Sequence, residues 1–160
     1  LRAAIDMAGP VAVRYPRGGE GRRYPAWTGE AASVLRQGKD VTLVSYGTLM
    51  DEILAAAELL AEQSVSAEAI KLHRIAPLDV GVVAESVRRT GRLLVLEDCN
   101  ENGSVGQQLA AALAKAGIAP KAVVLQNLKH AFAPQGTVSQ LRKLLALDAR
   151  SVAGQVQEMP

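Results

Sequence analysis

Four arginines fall within ten residues near the start of the sequence: Arg14, Arg17, Arg22 and Arg23, in the stretch VAVRYPRGGEGRRYP. A guanidinium is a planar fork that grips a phosphate or a carboxylate through two parallel hydrogen bonds. Of the four, Arg17 is the best placed to do so. It follows Pro16, whose ring fixes the backbone, and precedes Gly18 and Gly19. A strand-like run at 11–15 ends just before it, and ligands of α/β sheets gather beyond the carboxyl ends of strands. Judged alone, such an arginine is more often solvated than bound. Arg14 falls within the strand, and Arg22 and Arg23 fall in a solvated linker.

The stretch EDCNENGSVGQQL reads as a strand end, a glycine loop and a helix start, a geometry that offers backbone N–H groups to an anion. It fits neither glycine-rich nucleotide pattern and lacks the lysine of a P-loop. Glu97, Asp98 and Glu101 beside it would also repel phosphate. Close packing of helix on sheet is the expected role. Glu97 and Asp98 could form an acid–base pair or ligate a metal, but neighbours on a strand point to opposite faces. His73 and His130 are the only histidines, and no motif links them. Cys99 has no basic neighbour in sequence to lower its pKa and reads as a packed thiol. Arg74 and Asp79, in HRIAPLD, read as a structural pair across a strand-to-helix turn. None of these residues is assigned a catalytic, cofactor-binding or metal-binding role.

Composition narrows the classes. The 160 residues are 49% hydrophobic but only 3% aromatic, so the core is aliphatic, which suits helices packed on a parallel sheet. A net charge of +2, with both signs mixed along the chain, offers no basic stripe, and the few aromatics give little base stacking, so no nucleic-acid partner is expected. A single cysteine excludes an internal disulfide and suits a reducing compartment. The most apolar helical stretch, ILAAAELLAE, is interrupted by Glu58 and too short to span a bilayer. LRAAIDMAG reads as the end of a helix already under way, so the chain is expected to be the C-terminal piece of a longer protein.

The elements that must position these residues follow from pattern. The Pro and Gly density of PRGGEGRRYPAWTGE marks a linker, which places a boundary at residues 27–30. The expected division is 1–29, the end of a preceding domain plus linker, and 30–160, a complete domain. Strands at 32–36 and 41–45 are joined by QGKD, too short for a parallel crossover, so a hairpin is expected. A helix then carries Leu49, Ile53, Ala57 and Leu60 on one face. A strand at 67–73 follows, then a helix through Val83 and Val87 with Asp79 as its N-cap. An unbroken apolar strand spans 92–97. The next helix aligns Val105, Leu109, Ala112, Leu113 and Ala116 and ends at Gly117. KAVVLQN is the last strand, Thr137 caps the following helix, and Asp148 opens a final short one. The sum is a three-layer α/β domain of about five strands, mostly parallel with one antiparallel strand.

Several stretches carry a family resemblance. GPVAVRYPRGGEG, VTLVSYGTLMDEILAAAELL, RIAPLD, LLVLEDCNENGSVGQQLAAAL and HAFAPQGTVSQLRKLLALDARSVAGQV occur in collinear order over essentially the whole chain. They resemble the C-terminal part of the 1-deoxy-D-xylulose-5-phosphate synthases, a branch of the transketolase-like thiamine diphosphate enzymes, with RYPRG the most specific motif. The resemblance implies that residues up to about Tyr24 close a pyrimidine-binding domain and that the rest is a transketolase C-terminal domain. It implies a cytoplasmic, homodimeric enzyme that uses thiamine diphosphate and Mg2+. That enzyme condenses pyruvate with glyceraldehyde 3-phosphate to 1-deoxy-D-xylulose 5-phosphate, for isoprenoid biosynthesis. It also implies that Arg17, which matches the second arginine of the motif, binds the substrate phosphate.

The family's GDG…N segment, which holds magnesium and diphosphate, has no counterpart in the sequence. The chain is therefore expected to bind no cofactor by itself, and to work with the remaining domains of the same enzyme or with a cofactor-binding subunit. Ala76 stands where the family's RFVKPLD-like segment has lysine. Two other readings stay open: the C-terminal section or small subunit of a transketolase, and a non-catalytic assembly or regulatory domain.

Overall fold

Leu93, Leu94, Val95 and Leu96 are all fully buried because the strand they form has helices on both of its faces. The structure, a computed structural model, describes residues 2–12, 21–22, 24–25, 27–130 and 132–160. Its elements are α1 (Arg2–Ile5), β1 (Ala32–Arg36), β2 (Val41–Ser45), a 3₁₀ turn (Gly47–Leu49) running into α2 (Met50–Glu62), β3 (Ala67–Leu72) and α3 (Gly81–Thr90). They continue with β4 (Arg92–Leu96), α4 (Val105–Lys115), β5 (Ala122–Gln126), α5 (Val138–Leu144) and α6 (Ala149–Gln157). Of the strand expected at 11–15, residues 13–15 lie outside the described residues, as do Arg17 and Arg23.

The five strands form one mixed sheet in the order β1-β3-β2-β4-β5, parallel except for β1. Period-two alternation sends Leu94 and Leu96 to the face covered by α2 and α6, and Leu93 and Val95 to the face covered by α3 and α4. The connection through α2 moves one way along the sheet, and those through α3 and α4 move the other way. A uniform crossover hand then requires the helices to lie on opposite faces, as they do.

The antiparallel strand is present, but its partner differs from the expected hairpin. β1 pairs with β3, which lies between β1 and β2. Residues 37–40 step across the start of β3, a span of two strand spacings or about 10 Å. The step is fastened by Lys39 and Asp40 N–H groups donating to the Ser66 carbonyl at 3.0 and 2.9 Å, and by Ser66 N–H donating to Asp40 Oδ2 at 2.7 Å. Gly38 makes the crossing possible, because a Cβ there would stand 2.2 Å from the Ala67 carbonyl carbon.

The expected caps hold with one shift. Thr137 forms a complete capping box with Gln140. Asp148 is the N-cap of α6, and Gly117 turns left-handed at φ +70 after α4. Asp79 accepts the Gly81 N–H at 2.9 Å, but Val80 occupies the cap position of α3. No helix among the described residues is long and apolar enough to cross a membrane.

Candidate functional site

At the carboxyl ends of β2 and β4 the chain leaves neighbouring strands in opposite directions, the place where α/β sheets open a ligand crevice. Here that place is filled from within. Glu97, 1% exposed, turns its carboxylate onto the first turn of α4. Val105 N–H donates to Oε1 at 2.9 Å, Gly106 N–H to Oε2 at 2.7 Å, and the Tyr46 hydroxyl to Oε1 at 3.0 Å. The helix N-terminus favours this negative charge. Ser104 Oγ takes the next free amide, that of Gln107, at 3.2 Å. The anion-binding geometry read from the glycine loop is therefore real, and its occupant is the chain's own carboxylate. Gly106 allows the approach: a Cβ there would lie 2.9 Å from Glu97 Oε2 and 3.0 Å from Leu125.

The neighbours of Glu97 are held in their protonated forms. Burial first, and the Glu97 charge next, raise the Tyr46 hydroxyl above its ordinary range. The same two causes push the Cys99 thiol up to about 11, so at neutral pH it is a protonated, poor nucleophile. Asp98 points to solvent while Glu97 is buried, so the two carboxylates share no site.

A second cluster joins residues that the sequence left unconnected. Ser33 Oγ lies 2.7 Å from His73 Nε2 and donates to Glu30 Oε1 at 2.8 Å. Glu30 Oε1 is itself 3.5 Å from the same ring nitrogen. With the hydroxyl proton on Glu30, the imidazole must present Nε2–H to the serine oxygen. A serine nucleophile needs the opposite, a ring lone pair facing its proton. The cluster is a fastening for β1, not a triad. Thr28, the local backbone and Ser33 hold the Glu30 carboxyl down to about 2, and burial followed by the Lys71 charge lowers His73.

The third cluster fastens the linker. Asp51, in the first turn of α2, accepts the Arg22 N–H through Oδ2 at 3.3 Å and the Tyr24 hydroxyl through Oδ1. The Arg22 guanidinium forks onto Glu58 at 2.7 and 3.3 Å, and Lys71 Nζ sits 3.8 Å over the Tyr24 ring. Arg22 is thus paired rather than simply solvated.

A groove of about 620 Å3 between α5 and the start of α2 is lined by Glu52, Thr137, Arg142 and Lys143 among others. Its guanidinium is already engaged by Glu52 at 2.9 Å and Thr48 at 3.1 Å. Arg17, the sequence candidate, lies outside the described residues. His130 Nε2 lies 3.6 Å from Glu101 Oε2, and among the described residues it is not paired with His73. Sequence reasoning missed Glu97 as an internal helix cap and Asp51 as a linker anchor. The S-x-x-Q signature at Ser104–Gln107 was a legible signal for the helix start, whereas nothing local links Asp51 to a residue 27 positions earlier.

These residues do not fit thiamine diphosphate with its magnesium. The α4 N-terminal amides that a diphosphate would need hold Glu97, whose charge would repel it. Among the described residues no group of three His, Cys, Asp or Glu side chains is placed to ligate a metal.

Comparison with known proteins gives a consistent result. Residues 30–152 match the family model "Transketolase, C-terminal domain". The chain is 35% identical over 147 residues to the 1-deoxy-D-xylulose-5-phosphate synthase of Desulforudis audaxviator, covering 89% of this chain and 23% of that protein. It is 40% identical over 87 residues to the pyruvate dehydrogenase E1 component subunit beta of Staphylococcus epidermidis, covering 54% of this chain and 27% of that one. Among solved structures, a split-gene transketolase described as an inactive β4 tetramer superposes with a TM-score of 0.80 at 28% identity, covering 89% of this chain and 46% of that chain. The chain spans about a quarter of the length of the curated synthases it matches, 23–25% in each of the first three. From the matched family model, the five-stranded sheet and these relatives together, the chain belongs to the transketolase C-terminal domain family.

Proposed function

We propose that the chain is the C-terminal part of a 1-deoxy-D-xylulose-5-phosphate synthase, with residues 1–29 ending the pyrimidine-binding domain and 30–160 forming the C-terminal domain. The observation that carries this reading is the 35% identity to such a synthase along 89% of the chain. The whole enzyme, a cytoplasmic homodimer, decarboxylates pyruvate, releasing CO2, and joins the remaining two-carbon unit to glyceraldehyde 3-phosphate. Thiamine diphosphate and magnesium, held by the other domains, supply the carbanion chemistry.

This chain contributes Arg17. Its guanidinium takes two phosphate oxygens of the acceptor in parallel hydrogen bonds, neutralises their charge and fixes the far end of the substrate. Binding energy from that non-reacting phosphate is then used to orient the reacting carbonyl. A charge-assisted hydrogen bond contributes roughly 1.5–3 kcal/mol. In the complete enzyme Arg17→Ala should therefore lower kcat/KM for a phosphorylated acceptor by about 10- to 150-fold. An unphosphorylated acceptor should be hurt far less, and Arg17→Lys should recover only part of the loss. Equal losses on both acceptors would reduce Arg17 to a structural residue.

The similarity to a split-gene transketolase favours a second reading, a separate subunit that pairs with a cofactor-binding chain. The native polypeptide that contains these residues separates the two. A GDG…N segment in the same polypeptide supports the synthase, and its presence in a different, co-purifying chain supports the subunit.

A further inference from the structure

We propose that α5 is a strap that opens as a unit from the body of the domain, latched by the Arg142 guanidinium on Glu52 and Thr48. α2, α3, α4 and α6 each bury at least three residues, whereas α5 buries none. Val138 and Leu144 are both 66% exposed, and residues 132–140 are exposed throughout. Leu141 lies back against Gly136 of its own segment, and Leu145, just past the helix, is half-buried against the core. The attachment is therefore mainly polar. Arg142 donates to Glu52 Oε1 at 2.9 Å and to Thr48 Oγ1 at 3.1 Å. Gln126 Nε2 donates to the Leu145 carbonyl at 3.0 Å.

Both limits of the strap are marked in the backbone. Leu128 N–H donates to the Cys99 carbonyl at 3.0 Å, which fixes the chain before the exposed stretch. At the other limit Ala146 has φ +56, a left-handed conformation costly for a residue with a Cβ. Leu147 beyond it is buried in the core. Between these points the helix is satisfied locally, by the Thr137–Gln140 capping box and by Leu147 N–H donating to the Arg142 carbonyl at 2.7 Å. Seven residues are too few for a helix to persist alone in water, so α5 loses its structure once detached. Glu52 Oε2 also accepts the Ala149 N–H at 2.9 Å, so α6 keeps its own tie when the strap leaves. Opening widens the groove between α5 and α2 and leaves the sheet intact. A segment held this way opens at a lower free energy than the strands.

Hydrogen exchange of the 160-residue chain, read residue by residue, tests the strap. The amides of residues 141–145 should share one protection factor, about 100-fold or more below that of β4. Their exchange should be nearly independent of urea below the unfolding transition, while β4 exchange rises steeply with it. Gly106→Ala, which strains the sheet and α4, should lower β4 protection and leave that of α5 unchanged. Arg142→Ala should lower α5 protection about 3- to 30-fold, as expected for a charge-assisted pair that is partly exposed. Arg142→Lys should recover only part of it, since an ammonium cannot fork onto both partners. If α5 exchanges only together with β4 and with the same urea slope, the helix belongs to the cooperative core and the strap is overturned. Unchanged α5 protection in Arg142→Ala would overturn the latch. An Arg142→Ala chain that does not fold would overturn it too, because Arg142 would then hold the whole domain.

Discussion

Glu97 and Asp51 both accept backbone N–H groups, with opposite consequences. Beyond β4, Glu97 is 1% exposed and held against α4, whose Val105 and Gly106 N–H groups donate to it. At the start of α2, Asp51 is half-buried and its donors belong to the linker. The first carboxylate closes a crevice, and the second ties a segment to a surface. Burial decides the difference. A buried donor left without an acceptor loses its full hydration, whereas a donor at the surface finds water instead.

The largest effect is expected at Glu97. Glu97→Ala strands two buried amides and the Tyr46 hydroxyl, and should cost about 3–5 kcal/mol in urea unfolding of the 160-residue chain. A loss below about 1 kcal/mol would mean that water enters and that the crevice is open after all. Gly106→Ala probes the same seal from the other side. Its Cβ would meet Glu97 Oε2 at 2.9 Å and Leu125 at 3.0 Å. Prising α4 from the sheet in this way should cost about 1–3 kcal/mol by the same measurement.

The linker side should respond more mildly. Tyr24→Phe removes one hydrogen bond at a half-buried site and should lower global stability by about 0.5–1.5 kcal/mol. Hydrogen exchange at Arg22 should nonetheless rise clearly, since local opening need not involve the core. The smallest effect is a pH step around Glu30. Its folded pKa of about 2 lies below the ordinary glutamate value. Its contribution to fastening residues 27–33 is therefore complete above about pH 4.3 and disappears as pH falls through 2. Trp27, whose Nε1–H donates to the Glu30 carbonyl at 2.7 Å, reports this by fluorescence. Glu30→Gln should abolish the step and leave the rest of the acid transition unchanged.

Legibility in the sequence followed the range of the interaction. The face of α2, the doubly buried β4 and the caps at Thr137 and Asp148 depend on residues within one or two turns, and their patterns were readable. The position of β1 was not. Its pairing depends on β3 threading between two strands joined by only four residues, a fact encoded in the contact of Gly38 with Ala67 and Glu68. Glu97 was legible as a residue that spoils a phosphate loop, but its inward rotation depends on Gly106 nine residues later and on Tyr46 from another strand end. Ser33 and His73 meet only because β1 runs antiparallel to β3 in this register.

The most direct test of the closed crevice, and so of a cofactor held elsewhere, is titration calorimetry of the 160-residue chain with thiamine diphosphate and magnesium. With Glu97 occupying the amides that a diphosphate would need, no saturable heat should appear up to millimolar cofactor. A dissociation constant in the micromolar range would contradict the assignment and place cofactor chemistry within this chain.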